Sequence, residues 1–540
     1  MSKVIEIPQG KRTPKYRFFE ILPGFISILL IVLLFVFSMI SSVLGAIYVL
    51  LIVMASVVKA IGITARTAQG YRLVKKALRV DWRQRLLDLA TPEAALERLQ
   101  GSKSDSYHFP IHQQNLRKLA HAQKGAFPLP KDVFHAIIIS VYNETIDILG
   151  PTMESVLKTT FPKKRMFIVL AYEERGGKAT EELALTLKAR YGSKFGAFIL
   201  AKHPDGVRGE VVGKGANITN AGKILRDFVR TRGLKYRDVI VTTLDSDNRP
   251  HPCYFDQVAY EYIVHEDRKH LSYQPVSLFT NNLWDAPAVA RVIASSNSFW
   301  NLICTMRPHT LRNFASHSQT LDALVEMNFW SVRTIVEDGH QYWRSLFYFE
   351  GDYDVLPIRA PIYQDAVLAP TFLKTLKAQW KQLRRWDYGA SDVAYVANYM
   401  FSRARKIPFW QLWPKFVRLL DGHVALAAIS PIIAFGGWVP MLFRFQSRDL
   451  LAHNLPIAVS YVQTFAALGL FVSIILTLKL LPKRPAKYHA TKSLAMVLQW
   501  VISPVIAVVY ASACAFNSQI RLMFGWYMEK FDITVKSVKK

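Results

Sequence analysis

Cysteine is nearly absent from this chain of 540 residues: only Cys253, Cys304 and Cys514 occur, scattered and without Cys-x-x-Cys spacing. That excludes a disulfide framework and a structural zinc site. Charge is missing from one long stretch, since no Asp, Glu, Lys or Arg lies between Glu20 and Lys59. As a single helix that run would measure ~58 Å at ~1.5 Å per residue, about twice a bilayer core of ~30 Å. Two helices turning near Ser38, Ser41, Ser42 and Gly45 are expected instead, and the length excludes a cleaved signal peptide. Acidic residues are also scarce, 40 against 68 Lys and Arg, leaving a formal charge of +28. No basic run interleaved with aromatics resembles a nucleic-acid module, so the excess reads as attraction to an anionic membrane leaflet. Internal repeats and low-complexity tracts are absent. Apart from His423, no ionisable residue sits deep in an apolar segment, which argues against a transporter.

What is present is a globular segment held between apolar ones. Three further charge-free stretches, 422–443, 450–478 and 493–520, are each long enough to cross a bilayer. The expected organisation is a basic tail (1–20), a helical hairpin in the membrane (21–63) and a basic helical linker (64–131) in which Thr91-Pro92-Glu93 caps a helix. A catalytic domain (132–406) follows, then an interfacial amphipathic helix (407–421), apolar segments (422–520) and a basic tail (521–540). Lys and Arg crowd both ends of the hairpin, so the domain is expected in the cytosol of an integral membrane protein. Three crossings near the end would put Lys530, Lys536, Lys539 and Lys540 outside. A re-entrant last segment at Pro504 would return them.

Inside the globular segment, apolar β-branched runs at 136–141, 166–171, 197–200 and 238–244 alternate with helical patterns that include 178–190 and 217–230. This predicts an α/β domain with a parallel sheet, its ligands beyond the carboxyl ends of the strands. Asp245 and Asp247 follow the fourth run. Two carboxylates at i and i+2 can converge on a hard cation such as Mg2+ or Mn2+ shared with a diphosphate. Glu337-Asp338 supplies a candidate general base; Arg385 can neutralise phosphate, and Trp386 offers a flat face for a sugar.

The ordered set Glu173-Glu174, Asp245-Ser246-Asp247, Glu337-Asp338 and Gln382-Leu-Arg-Arg385-Trp386 resembles the membrane-bound family 2 glycosyltransferases, which include cellulose, chitin and hyaluronan synthases. Ser140-Val-Tyr-Asn-Glu144 and the Gly213–Asn220 segment with Lys214 resemble two further motifs of that family. The resemblance covers 136–386 and implies a GT-A-type α/β domain inserted between transmembrane helices. It implies roles as well: Asp245 on the nucleotide, Asp247 on the metal bound to its diphosphate, Asp338 as base beside Glu337. Lys214, Glu173 and Glu174 would lie near the nucleotide. Gln382, Arg385 and Trp386 would line the diphosphate and the acceptor sugar. The implied reaction is inverting transfer from a nucleotide-sugar donor, with UDP expected, to a growing polysaccharide; a lipid acceptor receiving one sugar is the alternative. Glu173 replaces the family's usual Asp, and Phe314-Ala-Ser-His317-Ser318 replaces the acceptor motif of cellulose synthases. A structural place for His317 is expected.

Overall fold

The computed structural model describes residues 6–101, 106–123, 125–443 and 450–529. Helix α1 (Pro14–Ile40) and helix α2 (Ser42–Ala77) form the first hairpin. They part at Ser41, whose extended backbone breaks the helix and whose Oγ caps Val43 N, within the serine cluster that marked the turn. The helices overrun the expected hairpin at both ends, because helical periodicity continues through polar residues outside any membrane. Three short helices follow; in that at Pro92–Arg98, Thr91 makes no side-chain cap bond.

The domain is built on one sheet of eight strands: β1 (Phe134–Val141), β2 (Met166–Glu173), β3 (Ala197–His203), β4 (Val239–Asp245), β5 (Arg249–Pro250), β6 (Leu271–Phe279), β7 (Ser318–Thr320) and β8 (Asp354–Gln364). The order is β3-β2-β1-β4-β7-β6-β8-β5. Strands β1 to β4 are parallel, and β7 runs antiparallel to β4 and β6. Both faces are covered, as near-continuous apolar strands require. Ile137, Ile139 and Val141 of β1 enter one core, and Ala136 and Ile138 the other. The sequence runs expected as strands are β1 to β4; β1, β2 and β3 are longer than predicted, and β4 is shifted by one residue at the same length.

Helices α3 (Gly177–Tyr191), α4 (Lys214–Thr231), α5 (Ala288–Cys304), α6 (Glu337–Tyr348), α7 (Phe372–Asp387) and α8 (Ser391–Met400) complete the domain. Beyond it lie α9 (Phe409–Phe443), α10 (Leu450–Leu480) and the broken helical segment α11 (Ala490–Phe524). Among the described residues α1, α2, α9 and α11 are long and apolar enough to cross a membrane. Of residues 407–421, expected as a separate interfacial helix, 409–421 are continuous with the apolar part of α9, whose Trp410 is 77% exposed.

Segment α11 does not run straight away from the domain. At its start Lys487 and Tyr488 bind Asp285 at 2.9 and 2.6 Å. At its end Arg17 donates to the Leu522 and Met523 carbonyls, and Met528 N donates to Tyr388 Oη at 3.2 Å. Both ends lie beside the α/β domain. Between them Ser512 donates to the Ala427 carbonyl, ~9 Å along α9 from Asp421 at helical rise. Pro504 lies between the Asp285 contacts and Ser512. Lys530, Lys536, Lys539 and Lys540 lie outside the described residues.

Candidate active site

Parallel pairing aligns Ser140 of β1 with Asp245 of β4, so the residues after β1, β2 and β4 share one edge of the sheet. Helix α4 starts at that edge. Lys214, its first residue, reaches Asp245 Oδ1 at 2.6 Å and Glu337 Oε1 at 3.9 Å, and donates to the Ala315 carbonyl at 3.3 Å. Gly215 permits this approach: a Cβ there would stand 2.5 Å from the Ser331 carbonyl and 3.1 Å from Glu337 Cβ. Asn217 ties the same helix to β2 through the Ala171 carbonyl at 2.9 Å.

Glu337 and Asp338 occupy the first turn of α6, where free backbone N–H groups favour anions. Asp338 Oδ1 accepts from Gly339 N at 2.7 Å. Burial pushes Glu337 up to about 7 against the opposing charge of Lys214, with Asp338 adding to the rise. Burial also raises Asp338, Lys214 opposing and the Asp245 charge assisting. Burial works to lower Lys214, but Asp245, Glu337 and Asp338 outweigh it and hold its ammonium above the ordinary range. A cation thus sits among carboxylates, two of which favour the neutral form more than usual.

The remaining expected residues divide. Asp247 is buried, with Oδ2 accepting from Asp365 N at 3.2 Å and its carbonyl accepting from Asn281 at 3.1 Å. Arg385 on α7 acts electrostatically on both Glu337 and Asp338. Gln382 accepts from Gln379 at 3.2 Å, and Trp386 packs tilted on Phe279 at 6.1 Å. Glu173 is buried and ion-paired with Arg175, whose guanidinium covers the Tyr142 ring at 4.2 Å. Glu174 points outward, to Lys202 at 3.4 Å and Asp205 N at 3.2 Å. Between Lys214 and the end of β2 lies a cavity of 170 Å³ lined by Glu173, Arg175, His203, Asp205, Glu210 and Val211, among others. His317 lies within the core, accepting from Trp330 Nε1 at 3.4 Å, a structural position as expected.

Among the described residues no group of three or more His, Cys, Asp or Glu converges as a metal site. Asp245 and Asp247 supply two carboxylates, which fits Mg2+ or Mn2+, ions commonly held by one or two carboxylates plus substrate phosphates.

Sequence reasoning missed Glu6. It pairs with Arg344 at 2.8 Å and accepts from Ser331 Oγ at 2.8 Å. Arg344, on α6, also donates to the carbonyls of Phe329 and Met327 at 2.5 and 3.2 Å. These bonds hold a loop in which Asn328 and Phe329 take positive φ (56° and 63°), a conformation costly for a bulky residue. Gln9 reaches the Gly209 carbonyl at 2.6 Å, so the same segment touches the loop beside the cavity. An isolated acidic residue in a mostly basic tail carries no signal of such a partner.

No family model matches the chain, and no curated protein matches its sequence. Solved structures resemble it. A Pyrobaculum calidifontis mannosyltransferase, in complex with GDP-Man and Mn2+, is 12% identical at TM-score 0.38, over 81% of this chain and 99% of that one. Residues 1–349 of S. aureus TarS with UDP-GlcNAc are 11% identical at TM-score 0.36, over 73% of this chain and 91% of that one. GalNAc-T7 with UDP, GalNAc and Mn2+ is 12% identical at TM-score 0.32, over 55% and 58%.

Proposed function

We propose that this chain is a membrane-embedded glycosyltransferase that takes sugar from a nucleotide-sugar and builds a polysaccharide at the membrane. The observation that carries this reading is the convergence of Lys214, Asp245, Glu337 and Asp338 beyond the carboxyl ends of β1, β2 and β4, with Arg385 acting on the same carboxyls. The 170 Å³ cavity beside Glu173 suits a nucleobase and ribose, and Lys214 is placed to meet the diphosphate that follows. Asp338, its proton affinity raised by burial, accepts the proton of the acceptor hydroxyl as that oxygen attacks the anomeric carbon, which inverts the centre. Glu337 and Arg385 tune that carboxyl. Arg385 and Gln382 face the leaving diphosphate, and Trp386 offers its ring to the acceptor sugar. A divalent ion held by Asp245 and Asp247 would neutralise charge developing on the leaving group.

The test is the full chain in detergent, incubated with a panel of UDP- and GDP-sugars and Mg2+ or Mn2+. Nucleoside diphosphate release is expected with at least one donor. Asp338→Asn should lower it by about 10²- to 10⁴-fold, the usual worth of a general base. Turnover with no donor, or an undiminished D338N, overturns the proposal. The product separates the two acceptors: a high-mass glycan supports polymer synthesis, and a single glycolipid supports one-step transfer to lipid.

A further inference from the structure

Three arginines outside the candidate active site come together without an acidic partner, and a fourth lies nearby. Lys59 of α2 and Asp421 of α9 pair at 3.7 Å, which fixes how these two helices face each other. Arg66 lies seven residues beyond Lys59 and Arg418 three residues before Asp421. Each is therefore on the same helical face as its neighbour in the pair, one or two turns nearer the α/β domain. The third comes from the domain itself. Gly70 of α2 packs against Leu302 of α5 so closely that a Cβ would stand 2.8 Å from the Leu302 carbonyl. Arg307 follows just after that helix ends, one turn past Cys304. The fourth, Arg312, lays its guanidinium over Trp343 at 5.7 Å.

Burial and then the charges of Arg66 and Arg418 press Arg307 below the usual arginine range, so Arg307 senses both. Arg307 and Arg312 both act on Cys304. Among the described residues none of the four arginines makes an ion pair, and the nearby Asp421 is taken by Lys59. Like charges gathered this way favour an anionic ligand.

We propose that Arg66, Arg307 and Arg418, supported by Arg312, bind the phosphate of an anionic membrane lipid. The level is right for a headgroup. The Lys59–Asp421 pair marks the edge of the charge-free runs 21–58 and 422–443. Trp410 and Trp413, exposed on the same helix as Arg418, sit where interfacial aromatics collect. Guanidinium groups suit phosphate through bidentate hydrogen bonds. A free phosphate offers the same head but no acyl chains for the neighbouring apolar faces of α2 and α9.

The experiment uses the full chain in neutral detergent. Dioctanoyl phosphatidylglycerol, dioctanoyl phosphatidylcholine and inorganic phosphate are titrated separately, and retention is read by native mass spectrometry and Tm. Phosphatidylglycerol should be retained and raise Tm, with phosphatidylcholine and phosphate at equal concentration doing neither. Arg66→Gln and Arg307→Gln should each weaken phosphatidylglycerol binding about tenfold or more, as loss of a charge-assisted contact does. Each should leave the lipid-free Tm equal or higher, because mutual repulsion is relieved, and that separates lost binding from lost folding. Arg→Lys at either position should restore part of the affinity. Equal retention of phosphatidylcholine, undiminished binding by the R66Q/R307Q double variant, or equal stabilisation by inorganic phosphate overturns the proposal.

Discussion

At the scale of single residues the site is a balance among three carboxyls and one ammonium. Lys214 is the hinge of that balance, since it touches Asp245 and Glu337 at once. Replacing it with Met strands carboxylates in a buried place, and breaking such a pair costs about 3 kcal/mol or more. Chemical unfolding of K214M should show that loss, and donor affinity should fall with it. Glu6 acts at one remove. Glu6→Gln keeps a hydrogen bond but leaves the Arg344 guanidinium without its counter-charge, loosening the loop that precedes Glu337. Lower kcat with little change in donor KM is expected, partly rescued by Glu6→Asp. Two buried histidines set an acid limit. Burial depresses His135 and His317 to about 3 from the usual 6.5. Between those values the unfolded chain binds the proton and the folded chain does not. Stability is therefore full above pH 6.5 and falls below it by up to about 1.4 kcal/mol per pH unit for each histidine. Urea unfolding at pH 7, 6 and 5 should trace that slope, and His135→Asn should flatten it. Asp245, Asp338 and Lys214 were legible in the sequence because motif order names residues without needing distances. Glu6 was not, since its partner lies 338 positions away.

At the scale of elements, the four parallel strands were readable because both faces are buried and the apolar runs are uninterrupted. Strands β5 to β8 were not. β5 has two residues and β7 three, too short for any pattern, and β6 and β8, although interior to the sheet, carry polar residues along their length. The serine-rich break between α1 and α2 was legible as the end of apolar periodicity, whereas their polar extensions were not, since nothing in composition ends a helix there. Segment α11 is the instructive case. It is long and apolar enough to cross a membrane, yet its flanks bind Asp285 and Tyr388. Single cysteines introduced at Lys487 and Trp526 should be labelled by a membrane-impermeant reagent from the same side in sealed vesicles. Labelling from opposite sides would show a full crossing.

At the scale of the molecule, the domain is fastened to its helices at several points, and one fastening draws on distant parts of the chain. Glu20, 2% exposed, receives Arg17 at 2.5 Å, Arg12 at 3.3 Å and the Tyr527 hydroxyl at 2.8 Å. Glu20→Gln leaves two arginines without their carboxylate, and a Tm several degrees lower is expected, read by scanning calorimetry in detergent. Tyr527 and Met528 also approach Ile335 and Val336, which lead into Glu337. The cluster has a meaning for biosynthesis. Glu20 leaves the ribosome some five hundred residues before Tyr527, so through most of translation the first helix holds its carboxylate without that hydroxyl. The loop leading into the candidate base gains its last packing partners only when residues 527 and 528 emerge. An interrupted chain would therefore carry every motif named above and still lack a finished site.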